Sequence, residues 1–281
     1  KANTTTTIFS NSSNPSEFGQ PVTLQAQVIG SVSNPPLPPS GSVVFYDGTT
    51  VIGTVPVSAI SSNTSLATFT TSSLSIGPHN LSASYQGDIN YNISTSTTMT
   101  QTVILTSTST TVATSVTPSF YGQNVTFTAT VTTNSPGTGN PTGIVNFYNG
   151  TMLMGTGTLT PSGSNASQAT FSITTLSLGS HQIRAIYQGD TNFTGSNSTA
   201  ITQVVVKDPT TTSLSSSLNP SNFGNNVTFT ANVTANAPGS GIPTGTVTFN
   251  EGSTVLGTAT LNGSGPASIT ILRLYPGSHN I

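Results

Sequence analysis

The sequence predicts an all-β chain in which one small sandwich is used three times, and three observations carry that prediction. Residues 124–132 read Asn-Val-Thr-Phe-Thr-Ala-Thr-Val-Thr, so Val125, Phe127, Ala129 and Val131 share one face of a strand and the threonines take the other. The pattern returns in Val227, Phe229, Ala231 and Val233, and more weakly in Val22, Leu24, Ala26 and Val28. Gly41, Gly143 and Gly245 each open a further strand at a constant spacing, a period of roughly 100 residues that is too long for a solenoid and suits a domain closing its own core. Turn signals recur roughly every 8 to 12 residues, and helical periodicity is absent.

Within the first repeat the strands can be placed one by one. Thr4 to Ser10 is a Thr-rich edge strand that ends at the turn Asn14-Pro15-Ser16, because a residue before proline is pushed out of helical geometry. The central strand starts after Pro21. A loop rich in proline, Asn34 to Ser40, leads to Ser42–Tyr46, with Val43 and Phe45 inward. Asp47-Gly48 turns the chain back, as Asn149-Gly150 and Glu251-Gly252 do in the later copies, since a tight hairpin needs positive φ. Return strands carry Val51 and Ile52, Leu153 and Met154, or Val255 and Leu256. The next strand holds Ala67 and Phe69, Ala169 and Phe171, or Ala267 and Ile269. Leu81, Ala83 and Tyr85 alternate with polar residues in the strand after that, and a Thr-rich last strand reaches Val103. About seven short, antiparallel strands per ~100 residues describe an Ig-like sandwich.

Composition excludes several classes of function. Charged residues make up 4% of the 281, against roughly 25% in ordinary soluble proteins. Four Lys plus Arg and six Asp plus Glu leave no basic stripe for nucleic acid. Ser, Thr and Asn, roughly two fifths of the chain, must supply the solubility that charges normally provide. Such a surface should respond little to salt, and its net charge of −2 does little to keep copies apart. There is no cysteine, hence no disulfide, thiolate site or Cys nucleophile. No apolar run approaches the ~20 residues of a membrane span. The chain starts at Lys1 and not Met, as a processed chain or a piece of a longer one would.

Several motifs in a fixed order carry a family resemblance. They are Asn-Pro-Ser, Phe or Tyr before Gly, Val-Thr-Phe-Thr-Ala, Pro-Thr-Gly-x-Val-x-Phe-Tyr-x-Gly, Leu-Gly-Thr, Leu-x-x-Gly-x-His and Ala-x-Tyr-x-Gly-Asp. Together they resemble the bacterial Ig-like repeat family over nearly the whole chain. The resemblance implies tandem modules of secreted or surface-attached microbial proteins, adhesins among them, with a spacer or scaffold role and no shared active site. The repeats are placed at 1–104, 105–207 and 208–281. The third stops inside its sixth strand and lacks a strand and a half, as a segment of a longer array would. A sharper expectation is that a neighbouring subunit donates the missing strand, with Thr4, Thr5, Thr6, Thr7, Ile8, Phe9 and Ser10 as donor.

Candidate chemistry is sparse. His79, His181 and His279 recur once per repeat with no second ligand nearby, so a structural corner is expected, with a ring nitrogen bonded to backbone near Leu74 or Leu176. Asp88 and Asp190, in Gly-Asp-x-Asn, offer one carboxylate per repeat, too few for calcium, and are read as turn stabilisers. No nucleophile elbow or carboxylate pair points to hydrolysis. Lys1 and Lys207 lie at repeat boundaries, so no lysine serves an internal isopeptide crosslink. No catalytic residue, metal or cofactor is expected.

Asn-x-Ser/Thr sequons are the one modification signal, at Asn3, Asn11, Asn63, Asn80, Asn92, Asn124, Asn149, Asn165, Asn192, Asn197, Asn226, Asn232 and Asn262. Asn80 and Asn232 fall on outward strand positions, and Asn124, Asn149, Asn226 and Asn262 at strand starts or turns. The alternative is that Asn merely forms turns and Thr forms strands. The functional expectation is a non-enzymatic, glycosylated repeat of an extracellular fibre, stalk or layer, whose partners are copies of itself or further repeats. Its rival is a ligand- or carbohydrate-binding adhesin module using the Asn34 to Ser40 loop or Tyr46 and Tyr148.

Overall fold

The computed structural model describes residues 1–31, 37–263 and 265–281. The chain is all-β, and no helix occurs among the described residues. In the first repeat the strands are β1 (Thr4–Ser10), β2 (Ser16–Glu17), β3 (Val22–Gly30), β4 (Ser42–Asp47), β5 (Thr50–Pro56), β6 (Ser58–Ala59), β7 (Thr64–Thr71), β8 (Gly77–Tyr85), β9 (Ser94–Thr95) and β10 (Met99–Ile104). The second repeat supplies β11 (Thr108–Thr114), β12 (Ser119–Phe120), β13 (Val125–Thr133), β14 (Ile144–Asn149), β15 (Met152–Thr158), β16 (Thr160–Gly163), β17 (Ala166–Ile173), β18 (Gly179–Gly189), β19 (Thr194–Asn197) and β20 (Ile201–Val206). The third supplies β21 (Thr210–Ser216), β22 (Val227–Ala235), β23 (Thr244–Glu251), β24 (Thr254–Asn262) and β25 (Ala267–Ile271).

The chain divides into two compact units. One comprises Lys1–Val112, Thr128–Thr170 and Arg184–Ala200, and the other Ala113–Phe127, Phe171–Ile183 and Ile201–Ile281. Each unit joins an end repeat to the part of the middle repeat packed against it.

The first sandwich packs a sheet ordered β1-β3-β7-β6 on one ordered β2-β10-β8-β4-β5, with β9 beside β8. Strand β3 buries Val22, Leu24, Ala26 and Val28, while Thr23, Gln25 and Gln27 stay half-buried, as a period of two requires. Facing it, β4 contributes Val43 and Phe45, and β8 contributes Leu81, Ala83 and Tyr85, all fully buried. Burying each large side chain stabilises the fold by about 1.5–3 kcal/mol. With so few charges, the outer face of the β1-containing sheet is laced by hydroxyl pairs. Thr23 meets Thr70 at 2.9 Å, and the same position is taken by Thr126 with Ser172 at 2.8 Å and Thr228 with Thr270 at 2.9 Å.

Two sequence expectations need correction. Pairing is not antiparallel throughout: Ser16 and Glu17 run parallel to Val103 and Ile104, and Ser119 and Phe120 to Val205 and Val206. The stretch after Asn14-Pro15 is therefore a short strand that crosses to the opposite sheet, and not only a turn. The hairpin loop is Gly48-Thr49 and not Asp47-Gly48, since Asp47 pairs with Thr50 inside the ladder and Gly48 carries the positive φ of 56°. A bulge at Phe45/Tyr46 recurs at Phe147/Tyr148 and Phe249/Asn250, bending the edge strand β5, β15 or β24 away from flat pairing.

The middle repeat has the same strand order, β11-β13-β17-β16 and β12-β20-β18-β14-β15 with β19 beside β18. Among the described residues the third has β21-β22-β25 and β23-β24. Its core is small: Val227, Phe229, Ala231 and Phe249 are buried, with Leu256, Ile269, Leu274 and Ile281 half-buried around them.

Candidate functional site

The arrangement that recurs with side-chain detail is the junction between successive repeats. In the first unit, Phe18-Gly19 of repeat one meets residues 137–139 of repeat two. The Phe18 N–H donates to Ile104 O at 2.9 Å, and the Phe18 carbonyl accepts from the buried Thr106 hydroxyl at 2.9 Å and from the Thr138 N–H at 3.2 Å. Thr138 Oγ1 donates to Gly19 O at 2.8 Å, and the Phe18 and Phe193 rings meet edge-to-face at 5.8 Å. Gly19 has a φ of 76°, and a Cβ there would strike the Thr138 carbonyl, while one on Gly137 would strike Thr106.

The second unit builds the same junction from different side chains. Tyr121 N–H donates to Val206 O at 3.0 Å, Ser240 N–H to Tyr121 O at 3.2 Å, and Ser240 Oγ to Gly122 O at 2.9 Å. Asp208 stands where Thr106 stood and accepts from the Gly241 N–H at 3.0 Å. Beside it lies a cavity of about 330 Å³ lined by Tyr121, Leu178, Lys207, Asp208, Ile242 and Pro243.

The recurrent histidines and aspartates are fixed inside their repeats. His79 Nε2 donates to Ser75 O at 2.8 Å and Nδ1 to Asp47 Oδ2 at 2.6 Å. Both partners only accept, so the pair suits an imidazolium. Burial disfavours that charge, but the Ser75 carbonyl and Asp47 outweigh it, and the His79 pKa lies above 6.5. His279 repeats the arrangement with Tyr275 O at 2.7 Å and Glu251 Oε1 at 2.6 Å, whose bonds raise its pKa. His181 Nε2 donates to Ser177 O at 2.8 Å. The carboxylate partner, 32 residues from His79, was missed by sequence reasoning. The signal was the residue before each hairpin glycine: Asp47, Asn149, Glu251.

Asp88 accepts four hydrogen bonds. Ser40 N–H and Oγ–H reach Oδ2 at 2.8 Å each, and Asn90 and Tyr91 N–H reach Oδ1 at 2.7 and 2.8 Å. Burial works against the charge, yet these donors hold the carboxyl down to about 2 from 3.8. Asp190 takes the equivalent bonds from Thr142, Asn192 and Phe193 and is lowered for the same reasons. With its oxygens aimed at donors, neither carboxylate is placed to hold a cation. No group of three or more His, Asp or Glu able to hold a metal occurs among the described residues.

The remaining sequence-derived residues are dispersed. Asn3, Asn11, Asn80, Asn92, Asn124, Asn197, Asn226, Asn232 and Asn262 are exposed, whereas Asn63, Asn149, Asn165 and Asn192 are half-buried. Asn165 Oδ1 accepts from Gly139 N–H at 2.8 Å, and Asn165 has a φ of 62°. Thr4 to Ser10 pairs along its whole length with residues 24–30 of β3, with Ile8 in the core. Tyr46 and Tyr148 are half-buried, not freely exposed, and the Arg184 guanidinium lies 5.6 Å from the centre of the Tyr148 ring. Within the expected ligand loop, Asn34, Pro35 and Pro36 lie outside the described residues.

These sheets and junctions define a protein built of tandem Ig-like sandwiches. The chain belongs to the bacterial Ig-like domain (group 3) family, whose model matches residues 9–104, 106–206 and 214–281. No curated protein is similar to it in sequence. Among solved structures it is similar to the Escherichia coli adhesin FdeC, at 16% identity over 95% of this chain and 88% of that one, with a TM-score of 0.29. The Yersinia pseudotuberculosis adhesin InvE is 20% identical over 69% of this chain and 58% of that one, with a TM-score of 0.34. Fibronectin(III)-like modules of Clostridium thermocellum CbhA are 17% identical over 71% of this chain and 93% of theirs, with a TM-score of 0.25.

Proposed function

We propose that this chain is a non-enzymatic structural segment of an extracellular microbial surface fibre, stalk or layer, and that it is N-glycosylated. The carrying observation is the junction, built twice from backbone and small side chains on the Phe/Tyr-Gly of one repeat and the Gly-Thr/Ser-Gly of the next. A spacer needs such ordered neighbours, and a low-charge exterior suits a part whose job is position. Glycans on Asn124, Asn197, Asn226 and Asn232 fit the surface best, because these side chains are exposed and make no hydrogen bond among the described residues. Polymerisation through Thr4–Ser10 would require stripping that strand from β3. The spacer role does not depend on it. Immunogold labelling of the native source tests the proposal: gold on exterior fibres or layers supports it, and gold confined to the cell interior overturns it.

A second reading, a ligand-binding adhesin module, draws on one pole of repeat one. Ile89 and Ile93 flank Tyr91, whose hydroxyl donates to Leu37 O at 3.1 Å, and Leu37, Ile89 and Ile93 are 64%, 86% and 74% exposed. Saturable binding of the chain to a glycan array, abolished by Ile89→Ser with Ile93→Ser, favours this reading; no binding removes it.

A further inference from the structure

We propose that the outer face of the second repeat holds a binding site for an anionic sugar, carboxylated or sulfated, anchored on Arg184. This goes beyond the spacer role, which stands or falls without it.

Arg184 is a costly residue in a chain that otherwise avoids charge. Only four Lys or Arg occur in 281 residues, and among the described residues Arg184 is the one that lies in a strand. In β18 His181, Ile183, Ala185 and Tyr187 are buried, so a period of two turns Arg184 and Ile186 to the outer face, where both are half-buried. The Arg184 guanidinium lies 5.6 Å from the centre of the Tyr148 ring, and its Nε is buried without a hydrogen-bond partner. A cation drawn partly out of water is normally paired with a carboxylate. Among the described residues the ion pairs are His79–Asp47 and His279–Glu251, and Arg184 has neither an ion pair nor a hydrogen bond.

A second copy of the chain is poorly equipped to supply the missing charge. Asp47 and Glu251 sit on histidines, Asp88 and Asp190 each accept four hydrogen bonds, Asp208 holds the Gly241 N–H, and Glu17 keeps one oxygen buried. The anion that complements Arg184 is then one the polypeptide does not carry.

The surroundings narrow its class. Tyr148 pairs with Leu153, which is 51% exposed, and Asn146 with Thr156. The register of repeat one, where Tyr46 pairs with Ser82 and Val44 with Ser84, sets Arg184 beside Tyr148 and Ile186 beside Asn146. An aromatic ring and two aliphatic side chains thus flank the guanidinium, with an amide and a hydroxyl next to them. A sugar ring offers an apolar face to the first group and hydroxyls to the second, while the planar fork of Arg184 takes a carboxylate or sulfate through its terminal nitrogens. One cation is too few for a nucleic-acid backbone. Repeat one has Ser82 and Ser84 in place of Arg184 and Ile186, so the sandwich itself does not require this platform. Two sources supply such a sugar: a separate polysaccharide, and a glycan on Asn197, which pairs with Ile186 on the same face.

The test uses the 281-residue chain made in a host that adds no N-glycan, titrated by calorimetry with tetragalacturonate, its methyl ester, a heparin tetrasaccharide and tetraglutamate. The expected result is saturable one-to-one binding of an anionic tetrasaccharide, with the ester and tetraglutamate silent. Arg184→Gln should weaken that binding about tenfold or more, and Arg184→Lys should also bind more weakly than the parent, because a point charge replaces the fork. Both variants should melt with the parent, since the guanidinium loses no partner, and Ile89→Ser with Ile93→Ser should leave the binding unchanged. No saturable binding of either anionic tetrasaccharide, equal binding of the ester or of tetraglutamate, or undiminished binding by Arg184→Gln would overturn the proposal. Equal binding by chain from the native source identifies a separate polysaccharide as the ligand, and native chain that binds only after its glycans are removed identifies the glycan on Asn197. Exterior immunogold labelling without sugar binding removes only this site, and interior labelling with sugar binding removes only the surface role.

Discussion

Asp88→Asn removes one charge and almost no volume, so it isolates what the carboxylate does in repeat one. Four donors converge on it, Ser40 N–H and Oγ–H on one oxygen and Asn90 and Tyr91 N–H on the other. An amide keeps two of these bonds and turns its own NH2 toward the other two donors. Hydrogen bonds to a charged group each contribute about 1.5–3 kcal/mol. A carboxyl held at about 2 in place of 3.8 sets a ceiling just above ~2 kcal/mol on the charge contribution. Because the group is partly wetted, screening reduces this to about 1–2 kcal/mol. The folded value lies below the unfolded one, so the stabilisation is present above pH 3.8 and lost as pH falls through about 2. Urea unfolding, read by pulsed hydrogen exchange on peptides from β8, measures the loss in this repeat alone. The variant should be weaker by that amount at pH 7 and nearly equal to the parent at pH 2. Equal stability at pH 7, or a deficit unchanged at pH 2, would refute the reasoning.

Three other perturbations have outcomes set by the same contacts. His79 titrates above 6.5, so its contribution is complete below that pH and lost as pH rises through the folded value; the repeat-one melting temperature should fall from pH 6 to 9, and Asp47→Asn should flatten the profile. Gly19→Ala puts a side chain at positive φ against the Thr138 carbonyl, a strain of about 1–2 kcal/mol before the collision is counted, and limited proteolysis should then cut near residues 104–107 while the parent resists. With 4% charged residues, melting temperatures should differ by less than about 2 °C between 0.05 and 1 M sodium chloride, and a larger shift would show that ion pairs matter after all.

Strand positions were legible because burial alternates with the residues: Val22, Leu24, Ala26 and Val28 could be assigned from spacing alone. The features that stayed hidden depend on distance through space. The parallel pairing of Ser16 with Val103 spans 87 positions and leaves no local trace, since Ser-Glu after a proline has the composition of a turn. The Asp47 partner of His79 was hidden because its residue type changes between copies. Glycines in 137–139 look like loop filler, and only packing shows that Gly137 lies against Thr106 and Gly139 against Phe193. The register of Phe18-Gly19, Tyr121-Gly122 and Phe223-Gly224 was visible as a motif, but its role as a knuckle for the next repeat was not.

Residue-resolved hydrogen exchange at the junction amides tests most directly whether consecutive sandwiches hold one another in place. The Thr138 N–H donates to Phe18 O across the first junction, and the Ser240 N–H to Tyr121 O across the second. Protection within about tenfold of the amides in β3 and β13 is the predicted result. Exchange at the rate of an exposed loop, with the sheets themselves protected, would mean that the repeats swing independently and that the chain does not set position.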